Sequence, residues 1–309
     1  MNPNNTPAFR PLTGIYEPSA IAQLPDGRFL VVEDEKDHPL SLVSLSADGS
    51  VLQVTPLTAG LLQAFSPFWN LNDLEGLAID RAGFVYSITS HSRDGDGDDK
   101  KSREKLVRFR VDGQRVVEPK VVDGLKQALT RRHAVLASAA QIRDVKTSGG
   151  LNIEALEISF DQQRLLIGFR SPLRNGRALI ASVENPGAMF DSNEPPRIAP
   201  ELVELDLGGH GIRGMSYVPT LAAYLVIGGP VSNEPARFDL WRWSGHPEAA
   251  PQRLTVAGLR GFARAEGLSP AVIGGVEQLV IVSDDGNRKD GRPATYLLLD
   301  PAWLQPAPR

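Results

Sequence analysis

Five partly similar stretches of the chain each carry a residue suited to chemistry near their start. They are "EPSAIAQLPDGRFLVVEDE" from Glu17, "DLEGLAIDRAGFVYSITSHS" from Asp73, "NIEALEISFDQQRLLIGFRS" from Asn152, "GIRGMSYVPTLAAYLVIGG" from Gly211 and "RAEGLSPAVIGGVEQLVIVSDDG" from Arg264. Aligned, they put Ser19, Glu75, Glu154, Arg213 and Glu266 at one equivalent position. Three glutamates drawn to one place repel one another unless a cation compensates. One answer is a network in which Arg170, Arg213 and water neutralise them. A second is a hard cation, Ca²⁺ or Mg²⁺, on Glu75, Glu154 and Glu266 with Asp284 or Asp34, because oxygen-only donors suit those ions. A third is a metal-free carboxylate whose crowding raises its pKa into the range of general acid–base work.

The elements that must position these residues are hairpins. Each stretch reads as strand, short turn, strand, with turns "PDG", "RAG", "DQQ", "PTLAA" and "IGG" and second strands rich in Val, Ile, Leu and Tyr. More alternating segments follow, such as "LSLVSLSAD", "KLVRFRVDG" and "FDLWRWSG", and often a fourth, such as "RVVEPKVV". Four antiparallel strands per unit, with units starting near residues 18, 73, 151, 211 and 264, predict an all-β fold: one β-propeller domain over 1–309 with five four-stranded blades, six being the alternative count. Residues 8–16 are expected to complete the last blade. "DGLKQALTRRHAVLASAAQIRD" predicts one inserted helix near 124–143 with Asp123 as N-cap. "TAGLLQAFSPFWNLN" is a second insert, read as packing over the mouth or as a lid.

In a propeller the innermost strands line the central channel, so the five aligned side chains should converge at one face. The ends of the second strands return to that face with Asp34 and Glu35, Ser90 and His91, Arg170 and Ser171, and Asp284 and Asp285. Glu75 and Glu154, with His91 or His210 moving a proton, are the catalytic candidates. Arg170, Arg213, Ser90 and Asp34 are the candidates for holding an anionic ligand. His38, His133 and His246 share no such convergence.

Other chemistries find little support. Lys+Arg 33 against Asp+Glu 37 gives net charge −4 with no long basic run, which argues against nucleic acid. Zero Cys removes thiolate nucleophiles and Cys-bound zinc. The N-terminus shows no export signal and no stretch is apolar enough to span a bilayer, so a cytoplasmic protein without membrane contact is expected. "GHGIRG" at 209–214 leads into a strand instead of opening a helix, and no nucleotide or redox cofactor is expected. "RDGDGDDKKSRE" at 93–104 starts like a calcium loop, but Asp99 stands where an EF-hand needs Gly and Lys105 where it needs Glu. It reads as a solvated loop, with a weak Ca²⁺ site or flap as the alternative.

The segments "DLEGLAID…SITSHSRDGDG", "GGLNIEALEIS…LLIGFRSPL", "GGHGIRGMSY" and "SDDGN" resemble a bacterial propeller family known as domain of unknown function 3616, similar in its hairpins to phytase-like esterase propellers. The resemblance covers roughly residues 17–300. It implies calcium-dependent hydrolysis of an ester, phosphoester or lactone at the axial face. Regucalcin-like lactonases similarly keep a metal at a carboxylate-lined mouth, but their ligand pattern is not reproduced here and no catalytic residue is carried over from them. The expectation is therefore a propeller that binds a small anion, as a divalent-metal-dependent hydrolase or as a non-catalytic module for a ligand or protein partner.

Overall fold

A computed structural model describes residues 7–35, 39–59, 66–232, 237–262 and 264–308. After a short β1 (Arg10–Pro11), the first blade comprises β2 (Pro18–Gln23), β3 (Phe29–Glu33), β4 (Leu40–Leu45) and β5 (Val51–Pro56). The second holds β6 (Leu74–Ile79), β7 (Val85–Thr89), β8 (Leu106–Asp112) and β9 (Arg115–Val122). The third holds β10 (Asn152–Ile158), β11 (Leu165–Ser171), β12 (Ala178–Val183) and β13 (Val203–Leu205). The fourth holds β14 (Gly211–Val218), β15 (Ala223–Gly229), β16 (Asp239–Trp243) and β17 (Gln252–Val256). The fifth holds β18 (Ala265–Ile273), β19 (Val276–Ser283) and β20 (Thr295–Leu299), with β1 as its outermost strand. The innermost strands β2, β6, β10, β14 and β18 follow one another around the axis and β18 returns to β2, so five blades close the ring.

In blades one to four the second strand is buried along its whole length, because both of its faces are covered by a neighbouring blade. The outer β9 alternates between covered and exposed positions, while β5 has no buried position. Apolar side chains collect in five clusters, one in each seam between adjacent blades. A further strand, β21 (Leu304–Pro306), pairs with β17 and gives the fourth blade a fifth strand, which the repeat pattern does not foretell.

The expected single helix over 124–143 is instead α1 (Leu125–Arg132) and α2 (Ala134–Ala140), broken at His133, whose backbone is extended. The break turns Leu125 and Leu129 of the first helix and Leu136 and Ala139 of the second into the same seam, between blades two and three. The cap is Gly124, in the left-handed region at φ 82°, and not Asp123. A third helix, α3 (Val145–Ser148), leads to β10, and α4 (Pro186–Ser192) packs Met189 and Phe190 into the same seam. Residues 60–65 of the other insert lie outside the described residues; beyond them Phe68 meets Trp69 and Phe109 edge-on in the core of blades one and two. Among the described residues no helix is long and apolar enough to cross a membrane.

Candidate functional site

Each innermost strand bears a register irregularity against its partner, and in all five blades it falls at the aligned position. Ser19, Glu75, Glu154, Arg213 and Glu266 are the residues skipped between Pro18 and Ala20, Leu74 and Gly76, Ile153 and Ala155, Ile212 and Gly214, and Ala265 and Gly267. A bulge leaves one residue unpaired and re-aims its side chain. All five residues line one axial cavity of about 1390 Å³. The residue after each bulge is Ala or Gly, and at the three glycines, Gly76, Gly214 and Gly267, the next blade's backbone passes close by. A Cβ on Gly76 would lie 2.7 Å from the backbone nitrogen of Leu156, and one on Gly214 would collide with the carbonyl oxygen of Glu266.

On one side of the mouth, charge is balanced. Arg213 of blade four sits between glutamates of blades three and five, with its Nε 2.8 Å from Glu154 Oε2 and an Nη in contact with Glu266 Oε1. The first contact is close but not aligned as a hydrogen bond. Arg170 donates to Glu154 Oε1 at 3.1 Å and to the carbonyl oxygens of Pro230 and Ser232 at 3.2 and 3.1 Å. Asn152 adds a 2.9 Å hydrogen bond to Glu154. Burial pushes the Glu154 and Glu266 carboxyls up while Arg213 pulls them back. Burial also works against the Arg213 charge, but the two glutamates outweigh it and raise its pKa.

The side formed by blades one and two is different. The position equivalent to Arg213 is Ser19 in blade one, and Glu75, only 8% exposed, has no hydrogen bond or ion pair with any described residue. Carboxylate oxygens of Asp34, Asp73 and Glu75 lie within 4.8 Å of one another. Burial, then the charges of Asp73, Glu154, Asp34 and Glu266, push the Glu75 carboxyl well above the usual range. Asp34 stands at the open edge of this group; crowding by protein and then the like charge of Asp73 push it up to about 9. Asp73 is held in the left-handed region at φ 67°, an uncommon conformation for a residue with a side chain. Its carboxylate accepts from Ser90 Oγ and from Ser92 Oγ at 3.3 Å, and forms an ion pair with Arg103 at 2.8 Å.

The expected carboxylates therefore divide. Glu75 joins Asp34, while Glu154 and Glu266 are engaged by arginines; Asp284 lines the cavity elsewhere, its carboxyl raised by burial and by Glu17. Ser90 is buried beneath Asp73 and does not line the cavity. Neither histidine is among the lining residues. His91 is fully buried with Nδ1 on the Thr89 carbonyl oxygen at 2.8 Å, and burial lowers its pKa to about 4. His210 stands beside Gly228 with a buried, unpaired Nδ1. His133 is buried in the helical insert, His246 is exposed, and His38 lies outside the described residues.

Asp73 escapes the sequence reading, although a signal for it exists. Residues two apart on a strand share a side, and Glu17, Asp73, Asn152 and Arg264, each two before an aligned position, all line the cavity. The acidic stretch 93–104 is tied down: Asp94 accepts from the backbone of Asp96 and Asp98, Arg143 reaches Asp98 at 3.2 Å, and Lys126 holds Asp99 and Glu104 at 2.6 and 2.7 Å. With the helical insert it forms one wall of the mouth.

A family described as "Protein of unknown function (DUF3616)" matches residues 120–296. No curated protein sequence matches the chain. Among solved structures, the PQQ domain of a pyranose dehydrogenase from Coprinopsis cinerea is 10% identical, with 96% of this chain and 98% of that one covered and a TM-score of 0.50. An aldose sugar dehydrogenase from Streptomyces coelicolor in its PQQ-bound form is 17% identical over 95% of this chain and 98% of its own, at TM-score 0.47. At these identities the likeness concerns the fold alone.

Proposed function

Since the chain belongs to the DUF3616 family, whose description assigns no activity, we propose from the geometry of the mouth that it binds a divalent cation on Asp34, Asp73 and Glu75 and uses it to hold a small anionic ligand. Glu75 carries this reading: a buried carboxylate without a cationic partner is costly, and two more carboxylates stand beside it. A cation here offsets that cost. Oxygen-only donors favour Ca²⁺ or Mg²⁺. Hydrolysis of an ester, phosphoester or lactone is the chemistry proposed for the site, because such a cation polarises a carbonyl or phosphoryl oxygen and lowers the pKa of water. A planar quinone of the kind named for the fungal domain fits less well, since the one aromatic side chain among the described lining residues is Phe238, which is buried with Arg213 over its ring at 5.6 Å.

The test is thermal unfolding of chelator-treated protein with and without Ca²⁺, Mg²⁺ and Mn²⁺, because a ligand that binds only the folded state raises apparent stability. A shift that Glu75→Gln removes supports the reading; no shift with any of the three ions overturns it. Turnover of ester and phosphoester probes, lost in Glu75→Gln while the fold persists, supports the hydrolase. The second reading is a non-catalytic ligand- or protein-binding propeller, favoured by the engagement of Glu154 and Glu266 with Arg170 and Arg213. It expects ligand binding without turnover.

A further inference from the structure

The arginines that the sequence offers for an anion are already committed. Arg170 spends its donors on Glu154 and two carbonyl oxygens, and Arg213 lies between two glutamates. The other basic groups lining the cavity are bound too: Arg93 to Asp99 at 3.0 Å, Arg103 to Asp73 at 2.8 Å, Arg143 to Asp98 at 3.2 Å and Arg237 to Asp239 at 2.8 Å. Two lining cations are different. Lys146 and Arg264 are exposed and have no ion pair among the described residues. They differ in what they face. The Lys146 charge acts on Asp34, at the edge of the three-carboxylate group, whereas the Arg264 charge acts on Asp284.

We infer that Lys146, carried by α3 on the wall of the cavity that Asp34, Asp73 and Glu75 also line, is the residue that binds the oxyanion of the ligand. The inference rests on the cation reading and extends it. An anion touching the cation also comes within the field of this ammonium, so the two positive groups act on it together. A lysine holds an oxyanion as a point charge on a flexible stem, which suits a rim position that must admit and release its ligand. The ligand class that follows is a small phosphate monoester or carboxylate with its charged end at the cation and its remainder in the polar cavity.

The experiment uses the full chain and inorganic phosphate as the probe, with thermal unfolding as the readout. Mg²⁺ alone should raise the melting temperature, and phosphate added to the Mg²⁺ form should raise it again. Lys146→Ala should keep the Mg²⁺ shift and weaken phosphate binding about tenfold, equivalent to roughly 1.4 kcal/mol. Lys146→Arg should restore it, and Arg264→Ala should leave it intact. Phosphate binding unchanged in Lys146→Ala, or lost only in Arg264→Ala, overturns the inference. Phosphate that adds nothing to the wild-type Mg²⁺ form overturns it as well. A wild-type protein that ignores Mg²⁺, Ca²⁺ and Mn²⁺ alike overturns instead the cation reading on which the inference stands.

Discussion

Ser19 and Glu75 occupy equivalent bulges on adjacent blades, and the serine brings no charge to answer the glutamate. Across the ring, Arg213 answers the glutamates on both of its flanks. Ser19→Arg would place a guanidinium between Glu266 and Glu75 in the same way. Chelated Ser19→Arg should be more stable than chelated wild type by about 1.5–3 kcal/mol, the range for hydrogen bonds to charged groups. It should also lose the response to divalent ions. Melting curves with and without chelator decide the matter, and an unchanged ion response counts against the site.

Arg213→Met should destabilise by about 3–5 kcal/mol, because it leaves two buried glutamates without their cation. Adding Glu154→Gln and Glu266→Gln should recover much of that loss. Urea denaturation of the single and triple variants measures both effects. If the triple variant is no better than the single one, Arg213 serves by packing and not by charge.

Gly76→Ala should cost about 1–3 kcal/mol, since its Cβ would press on the Leu156 backbone in the next blade. Gly187→Ala, in α4 with nothing within 4 Å, should be neutral or slightly stabilising. Equal effects of the two changes in melting temperature would disprove the close approach.

Glu157 supplies a dependence on pH. It is buried in the seam between blades three and four and accepts from the backbone of Ile158 at 2.7 Å and of Tyr217 at 2.9 Å. Burial raises its carboxyl from 4.5 to about 7. A raised carboxyl means that the folded state holds the proton more tightly, so its contribution is fully present below about 4.5 and is lost as pH rises through about 7. The loss is about 3 kcal/mol by pH 8. Glu157→Gln cannot accept from both amides with one oxygen, and should be the less stable form at pH 5. Its deficit should shrink toward pH 8. Denaturation of both proteins across that interval checks the slope, and a constant deficit refutes it.

The hairpins were legible because strand and turn chemistry is local and repeated, and "DLEGLAID" and "NIEALEIS" align without reference to anything distant. The convergence of Ser19, Glu75, Glu154, Arg213 and Glu266 followed from that alignment. Their division did not, because which carboxylate an arginine answers depends on reach across a seam. Glu154 lies between Arg170 and Arg213, while Glu75 is flanked at the equivalent bulges by Ser19 and Glu154 and pairs with no arginine among the described residues. Asp73 was hidden for another reason: its left-handed backbone lies just before β6, outside the strand itself, although the two-residue offset it shares with Glu17, Asn152 and Arg264 marks it as lining the cavity. His91 shows the opposite error. Its chain position is near the mouth, but a positive φ of 55° accompanies a ring buried against Thr89.

The pairing of Arg10 with Tyr296 and of Pro11 with Thr295 sets a timetable for biosynthesis. The strand at Arg10–Pro11 has no partner until Thr295 and Tyr296 have left the ribosome. Until then the nascent protein is an open arc, and the apolar seam that Leu12 and Ile15 share with Val280 and Val282 remains unsealed. Blades one to four can gather in order, but the circle is fastened by a clasp whose first half is made before blade one and whose second half comes with β20.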